Sequence, residues 1–225
     1  MIFEVKRHPR TESLLEQAVR ELSQSDRAMD KLIRRVGPCE LPMKRRGHYF
    51  PALVEAIIYQ QLTAKAAARI LERFRALFPS RRFPAAEQIA RTPAARLRSA
   101  GLSPQKISYV KDLARRAADG SFPLRRLAAM DDAEVTRRLT EIKGIGPWTA
   151  EMFLIFTLGR PDVLPVTDLG IRKAVQRLYG METLLSPSSL AALGRRWAPH
   201  RSVAAWYLWA SVDGQRGRTN PESPE

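Results

Sequence analysis

Among the residues able to do chemistry, Asp168 stands out by its setting. It follows Leu164-Pro165-Val166-Thr167 and precedes apolar Leu169, Ile171, Ala174, Val175 and Leu178 at helical spacing, so it falls where a helix N-cap belongs. A carboxylate there accepts helix N–H groups and is favoured by the helix dipole, which keeps it anionic. The stiff run before it would hold it in place. A fixed anion suits a reaction whose transition state gathers positive charge on a sugar. Taken alone, the same residue reads as an ordinary cap. Upstream lies Lys143-Gly144-Ile145-Gly146-Pro147-Trp148-Thr149. Its two glycines free the backbone for positive φ and for close approach to another molecule. Pro147 suits the first turn of a helix running to about Thr157, whose N-terminal N–H groups would seat an anion. An ordinary turn between two helices would leave the same pattern. A third feature is Gln60-Gln61, at the junction of two strongly apolar helical stretches. Such amides hydrogen-bond base edges or bridge helix ends.

Composition narrows the partner. The chain has 225 residues, with 38 Lys and Arg against 23 Asp and Glu, a formal charge of +15. A pI near 10.8 is the footprint of a nucleic-acid binder, and the excess is mostly arginine, which suits phosphate forks. No apolar run approaches the roughly 20 residues of a membrane span. Met1 to Arg10 carries charge without an apolar core, so no signal peptide is expected and a cytoplasmic location fits. The single cysteine, Cys39, reads as a small apolar filler and excludes an internal disulfide or a Cys-rich zinc or iron–sulfur site. His8, His48 and His200 form no metal cluster by spacing.

The elements that must position these residues are nearly all helical. Residues 1–10 read as extended, and Thr11 opens a helix through Leu14, Leu15, Val19 and Leu22. Ser25 or Asp26 caps a second, stopped by Gly37-Pro38. Lys44-Arg45-Arg46 reads as a solvated loop. Pro51 begins an apolar helix ending in Tyr59-Gln60-Gln61-Leu62, and Thr63 caps the next, to Phe78. Further helices start at Thr92-Pro93, Ser103-Pro104, Leu124, Asp131 or Asp132 and Ser186-Pro187, and Pro199 precedes the last one. The expectation is an all-α fold, a compact array of about ten helices. It forms a single unit over residues 1–213, with a mobile tail at 214–225. Within it, one lobe of about 46–160 carries the hairpin, the N- and C-terminal segments form the other, and a cleft lies between.

Gly144-Ile145-Gly146-Pro147-Trp148-Thr149-Ala150, followed by Leu164-Pro165-Val166-Thr167-Asp168-Leu169-Gly170-Ile171-Arg172, resembles the helix-hairpin-helix (HhH-GPD) DNA glycosylases. The resemblance is to the alkylbase branch, the 3-methyladenine DNA glycosylase II type. Ile57-Ile58-Tyr59-Gln60-Gln61-Leu62-Thr63, Leu97-Arg98-Ser99-Ala100-Gly101-Leu102-Ser103 and Trp197-Ala198-Pro199-His200-Arg201-Ser202 match further segments of it. The likeness covers roughly residues 45–212. The hairpin by itself also occurs in DNA-binding proteins that are not enzymes; joined to Pro-Val-Thr-Asp at this distance it is far more specific.

The resemblance implies a base-flipping enzyme acting on double-stranded DNA as a monomer. Backbone N–H groups near Gly144, Gly146 and Trp148 would grip a DNA phosphate, with Lys143 and Thr149 beside them. The carbonyls of Thr140, Ile142 and Ile145 match positions that hold Na+ or K+. Gln60, Gln61 and Leu62 correspond to the wedge that fills the gap left by the flipped base, the plug being Gln61 or Leu62. Trp148 and Trp209 match pocket-lining positions, with Tyr59, Met152 and Trp206 as neighbours, although Trp206 is equally read as core. Asp168 would be the catalytic carboxylate. Members that also cut the strand carry a lysine at the position of Trp148, so the resemblance implies a monofunctional enzyme with no required cofactor and no iron–sulfur cluster. The β-rich N-terminal domain of some relatives is not expected, since residues 1–45 read as short and helical. A glycosylase/lyase and a non-catalytic DNA binder are the alternatives.

Overall fold

The computed structural model describes residues 9–41, 48–79 and 82–216. Every regular element among them is helical. In chain order these are α1 (Pro9–Ser25), α2 (Arg27–Val36), α3 (Tyr49–Tyr59), α4 (Ala64–Ala76), α5 (Ala86–Arg91), α6 (Ala94–Ser99) and α7 (Pro104–Ala118). After a 3₁₀ turn at Leu124–Ala129 come α8 (Asp132–Thr140), α9 (Pro147–Phe153), α10 (Leu169–Leu178), α11 (Pro187–Leu193) and α12 (Arg201–Arg216). The chain divides into two compact units, one of residues 44–158 and one of 1–43 with 159–225.

In the 44–158 unit, α3 is the inner element. Leu53, Val54, Ile57 and Ile58 are fully buried, and α4 and α7 pack on it. Burying each such side chain contributes roughly 1.5–3 kcal/mol. Pro51 falls in the first turn rather than opening the helix, because the chain already coils from Tyr49 and an N–H is not needed there. Side-chain caps set the starts of α4, α7 and α8: Thr63 accepts from Ala66 N–H, Ser103 from Lys106 N–H and Asp131 from Glu134 N–H. α5, which the sequence pattern does not reveal, starts at Ala85, a residue without a capping oxygen; Gln88 reaches back to its N–H at 2.9 Å.

The unit of 1–43 and 159–225 is built around Asp26. It caps α2 through the N–H groups of Ala28 and Met29, at 2.9 and 3.2 Å. It also accepts the Trp197 indole N–H at 3.0 Å and the Tyr179 hydroxyl. Burial works to raise the carboxyl, but the bonds from Tyr179, Trp197, Met29 and Ala28 outweigh it and hold it below the usual carboxylate range. On the same unit Tyr207 donates to the Gly37 carbonyl at 3.0 Å, tying α12 to the end of α2. α12 continues to Arg216, past Gly214 where a tail was expected; one glycine in a last turn costs a helix only about 1 kcal/mol. Pro9 and Arg10 are helical rather than extended, and residues 1–8, 42–47, 80–81 and 217–225 lie outside the described residues, with the Lys44-Arg45-Arg46 run among them.

Candidate functional site

The glycine turn lies in the 44–158 unit, between α8 and α9. Ile142 and Ile145 are buried and anchor it; Ile145 N–H donates to the Ile142 carbonyl at 3.1 Å. Gly144 has φ +80°, and a Cβ there would lie 2.0 Å from the Tyr109 ring of α7. Both facts demand glycine. Gly146 differs: its φ is −94° and nothing stands within 4 Å of where a Cβ would be. Its missing side chain therefore keeps the outer face open. The turn is tied to α7 a second time, since Lys143 N–H donates to Asp112 Oδ2 at 3.2 Å. The Lys143 side chain is exposed. α9 is shorter than its sequence pattern: after Phe153 the helix widens to π-type over Leu154–Leu158. An unbroken apolar run carries no signal of that change.

A groove of about 390 Å³ brings together Gln60, Gln61, Gly144, Gly146, Trp148 and Thr149. Trp148 is 47% exposed, whereas Thr149 is buried. Gln60 Nε2 donates to the Gly144 carbonyl at 2.7 Å, so the amide junction touches the glycine turn directly. Four further lining residues, Ser103, Gln105, Lys106 and Tyr109, come from the start of α7. Sequence reasoning gave them no role. Tyr109 could have been found only by asking what fills the space over Gly144. Tyr59 and Leu62 are each 39% exposed at the same corner, but neither they nor Met152 line the groove. Thr140 spends its hydroxyl on the Thr136 and Arg137 carbonyls. With the Ile142 and Ile145 side chains buried, backbone oxygens are what this turn can offer a cation. Among the described residues no group of three His, Cys, Asp or Glu is placed to hold a metal ion.

Asp168 lies in the other unit, partly exposed, at the head of α10. Oδ1 accepts Ile171 N–H at 2.8 Å and the Trp209 indole N–H at 3.2 Å. Trp209 of α12 thus grips the carboxylate through its indole N–H. Gly170 keeps the space open, since a Cβ there would lie 3.0 Å from Oδ1 and 3.7 Å from the Trp209 ring. The run before Asp168 is pinned from below. Val163 and Leu164 are buried, and Leu164 packs where a side chain on Gly194 would stand. Ser202, fully buried, accepts Val163 N–H at 3.0 Å and donates to the Arg160 carbonyl at 2.7 Å. Arg201 adds a paired contact to Asp162 at 2.7 and 2.9 Å. The carboxylate is therefore held by its own helix, by an indole and by an anchored strap. Trp206, partly exposed, packs edge-on against buried Tyr207 at 4.9 Å.

Comparison with known proteins places this geometry in context. Residues 54–200 match the family described as HhH-GPD superfamily base excision DNA repair protein. DNA-3-methyladenine glycosylase 1 of Schizosaccharomyces pombe is 34% identical over 212 residues, which is 93% of this chain and 92% of that protein. The solved structure of an S. pombe 3-methyladenine DNA glycosylase in complex with abasic DNA superposes with a TM-score of 0.78, covering 88% of this chain and 97% of that one. A DNA-3-methyladenine glycosidase from Bacillus halodurans superposes with a TM-score of 0.79 at 35% identity, covering 89% and 91%.

Proposed function

The chain belongs to the HhH-GPD superfamily of base excision DNA repair proteins, and from that premise we propose that it is a monofunctional DNA glycosylase that removes alkylated bases from duplex DNA. The observation that carries the reading is the Asp168 carboxylate, partly exposed yet fixed by Ile171 N–H and the Trp209 indole. The damaged nucleotide leaves the stack at a cost of a few kcal/mol. The residues read as receiving the base are Trp209 and Trp206 on the unit that carries Asp168, and Trp148, Tyr59 and Met152 on the 44–158 unit; a ring alkylated on nitrogen is cationic and is drawn to indole faces. The N-glycosidic bond breaks with its electron pair going to the base. Asp168 stabilises the oxocarbenium-like sugar and orients a water, whose oxygen bonds to C1′ while its proton passes to solvent. A charged base leaves readily, so little general-acid help is needed.

The glycine turn grips the DNA backbone through Gly144, Gly146 and their neighbours, and Gln61 or Leu62 fills the vacated stack. The neutral carbonyls of Thr140, Ile142 and Ile145 form a donor set suited to Na+ or K+, which would add positive charge beside that grip. The strand-cutting alternative is disfavoured by Trp148, because an indole cannot form the Schiff base that a lysine amine can. The protein acts as a monomer, in the cytoplasm.

Methylated duplex DNA separates the readings. Wild-type protein should release free 3-methyladenine and 7-methylguanine, with strand breaks only after alkali. Asp168→Asn should bind the same DNA and release no base. Breaks without alkali would favour the lyase, and no release from a broad lesion panel would favour a non-catalytic binder.

A further inference from the structure

The corner between α3 and α4 is a tight turn in which Leu62 N–H donates to the Tyr59 carbonyl at 3.3 Å. Gln60 takes φ −52° and ψ 132°, and Gln61 takes φ +56°, the one positive φ outside glycine among the described residues. This is the pattern of a type II turn, whose second corner favours Gly or Asn. A glutamine there is held against its own preference. The holder is visible. Lys106 Nζ, from the first turn of α7, donates to the Ile58 carbonyl at 2.7 Å and to the Gln60 carbonyl at 2.8 Å. These oxygens lie at the negative end of α3, where a cation is favoured, and the second belongs to the peptide that leads into Gln61. Burial pushes the Lys106 ammonium below the ordinary lysine range. The Gln60 side chain then reaches the Gly144 carbonyl at 2.7 Å, and Gly144 is seated on Tyr109, one turn along α7 from Lys106.

We propose that Lys106 is a positioning residue: its ammonium locks the Gln60-Gln61-Leu62 corner and, through Gln60, yokes that corner to the glycine turn, so that wedge and phosphate grip meet DNA already assembled. The proposal rests on the reading of Gln61 and Leu62 as the inserting residues. A corner that is preset loses less freedom when it enters the stack, and the gain appears only where a gap exists to be filled.

The test measures the affinity of the whole chain for a duplex carrying a tetrahydrofuran abasic analogue and for the same duplex undamaged, across a salt series. Lys106→Met should cut the preference for the abasic duplex, the ratio of the two affinities, about tenfold, with the salt slope on the undamaged duplex as in wild type. Lys106→Arg, which can again donate to both carbonyls, should recover most of the preference. An unchanged preference in Lys106→Met overturns the proposal. So does a parallel loss on both duplexes with a salt slope smaller by about one, the mark of a plain phosphate contact. Should Lys106→Met fail to fold by circular dichroism, Gln60→Leu cuts the bond to Gly144 without touching the lysine; it too should lower the preference, and no change overturns the proposal. The double variant Gln61→Ala, Leu62→Ala checks the insertion reading separately. If it keeps the abasic preference, that reading fails and the proposal with it. If it loses the preference while Lys106→Met does not, only the role of Lys106 falls.

Discussion

A single oxygen, Oδ1 of Asp168, receives both the Ile171 N–H and the Trp209 indole, and Gly170 supplies the room. Replacing Gly170 by alanine sets two effects against each other. Alanine favours the helix by roughly 0.5–1 kcal/mol, yet its methyl carbon would crowd Oδ1 at 3.0 Å. Gly170→Ala is therefore expected to leave the thermal midpoint unchanged or slightly raised. Its single-turnover base release should fall by about ten- to a hundredfold, because catalysis is sensitive to displacements well below 1 Å. Wild-type release would show that the carboxylate tolerates the shift. The same residues mark how far side-chain chemistry can be read from letters. The capping position of Asp168 is local and was legible. Its indole partner lies 41 residues away, and the Lys106 bonds span 48 and 46 residues, so no spacing rule reaches them. Gln61 hides for another reason: glutamine is not a turn residue, and its positive φ is imposed by neighbours rather than chosen.

At the scale of the element, caps did most of the work. Asp26, Thr63, Ser103, Asp131, Asp168 and Ser186 each accept an N–H in the first turn of the helix they precede, and these are the starts that a sequence reading finds. The misses follow from the same physics. α5 has alanine at its cap, and the π-type turn at Leu154–Leu158 sits in a run apolar on every side, where period cannot be read. The glycine turn yields a sharp prediction. Gly144→Ala combines a left-handed backbone with a methyl driven into Tyr109. A loss of about 2–4 kcal/mol in denaturant unfolding is expected, together with weakened binding to undamaged duplex. A loss under about 0.5 kcal/mol would mean that Tyr109 moves aside freely. Gly146→Ala has an open site and should cost little stability, so any fall in its DNA affinity would report the approach of the phosphate itself.

Across the whole molecule, the helical class was readable from pattern, whereas the bonds that close the unit of 1–43 and 159–225 were not. Asp26 meets Tyr179 and Trp197 across 153 and 171 residues. Its hydrogen bonds make the folded state hold the carboxyl proton less tightly than the unfolded chain does. The stabilisation is thus complete above the ordinary carboxylate value and is lost as pH falls through the lower folded value, below about pH 4. Asp26→Asn should cost roughly 1–3 kcal/mol at pH 7, with the gap to wild type narrowing in acid. A gap independent of pH would remove the charge from the explanation. The separation of those partners also sets a timetable for biosynthesis. When Asp26 is added to the growing chain, Trp197 is still 171 codons from being read. At about 5–20 residues per second the wait is roughly ten to thirty seconds. During that interval α1 and α2 lack the α10 and α12 surfaces that pack on them, while residues 44–158 are made in full before it ends. Stalled nascent chains ending near residue 190 should therefore be cut by protease within α1 and α2, and released full-length chains should resist. Equal protection in both would mean that the first two helices find shelter before the last arrives.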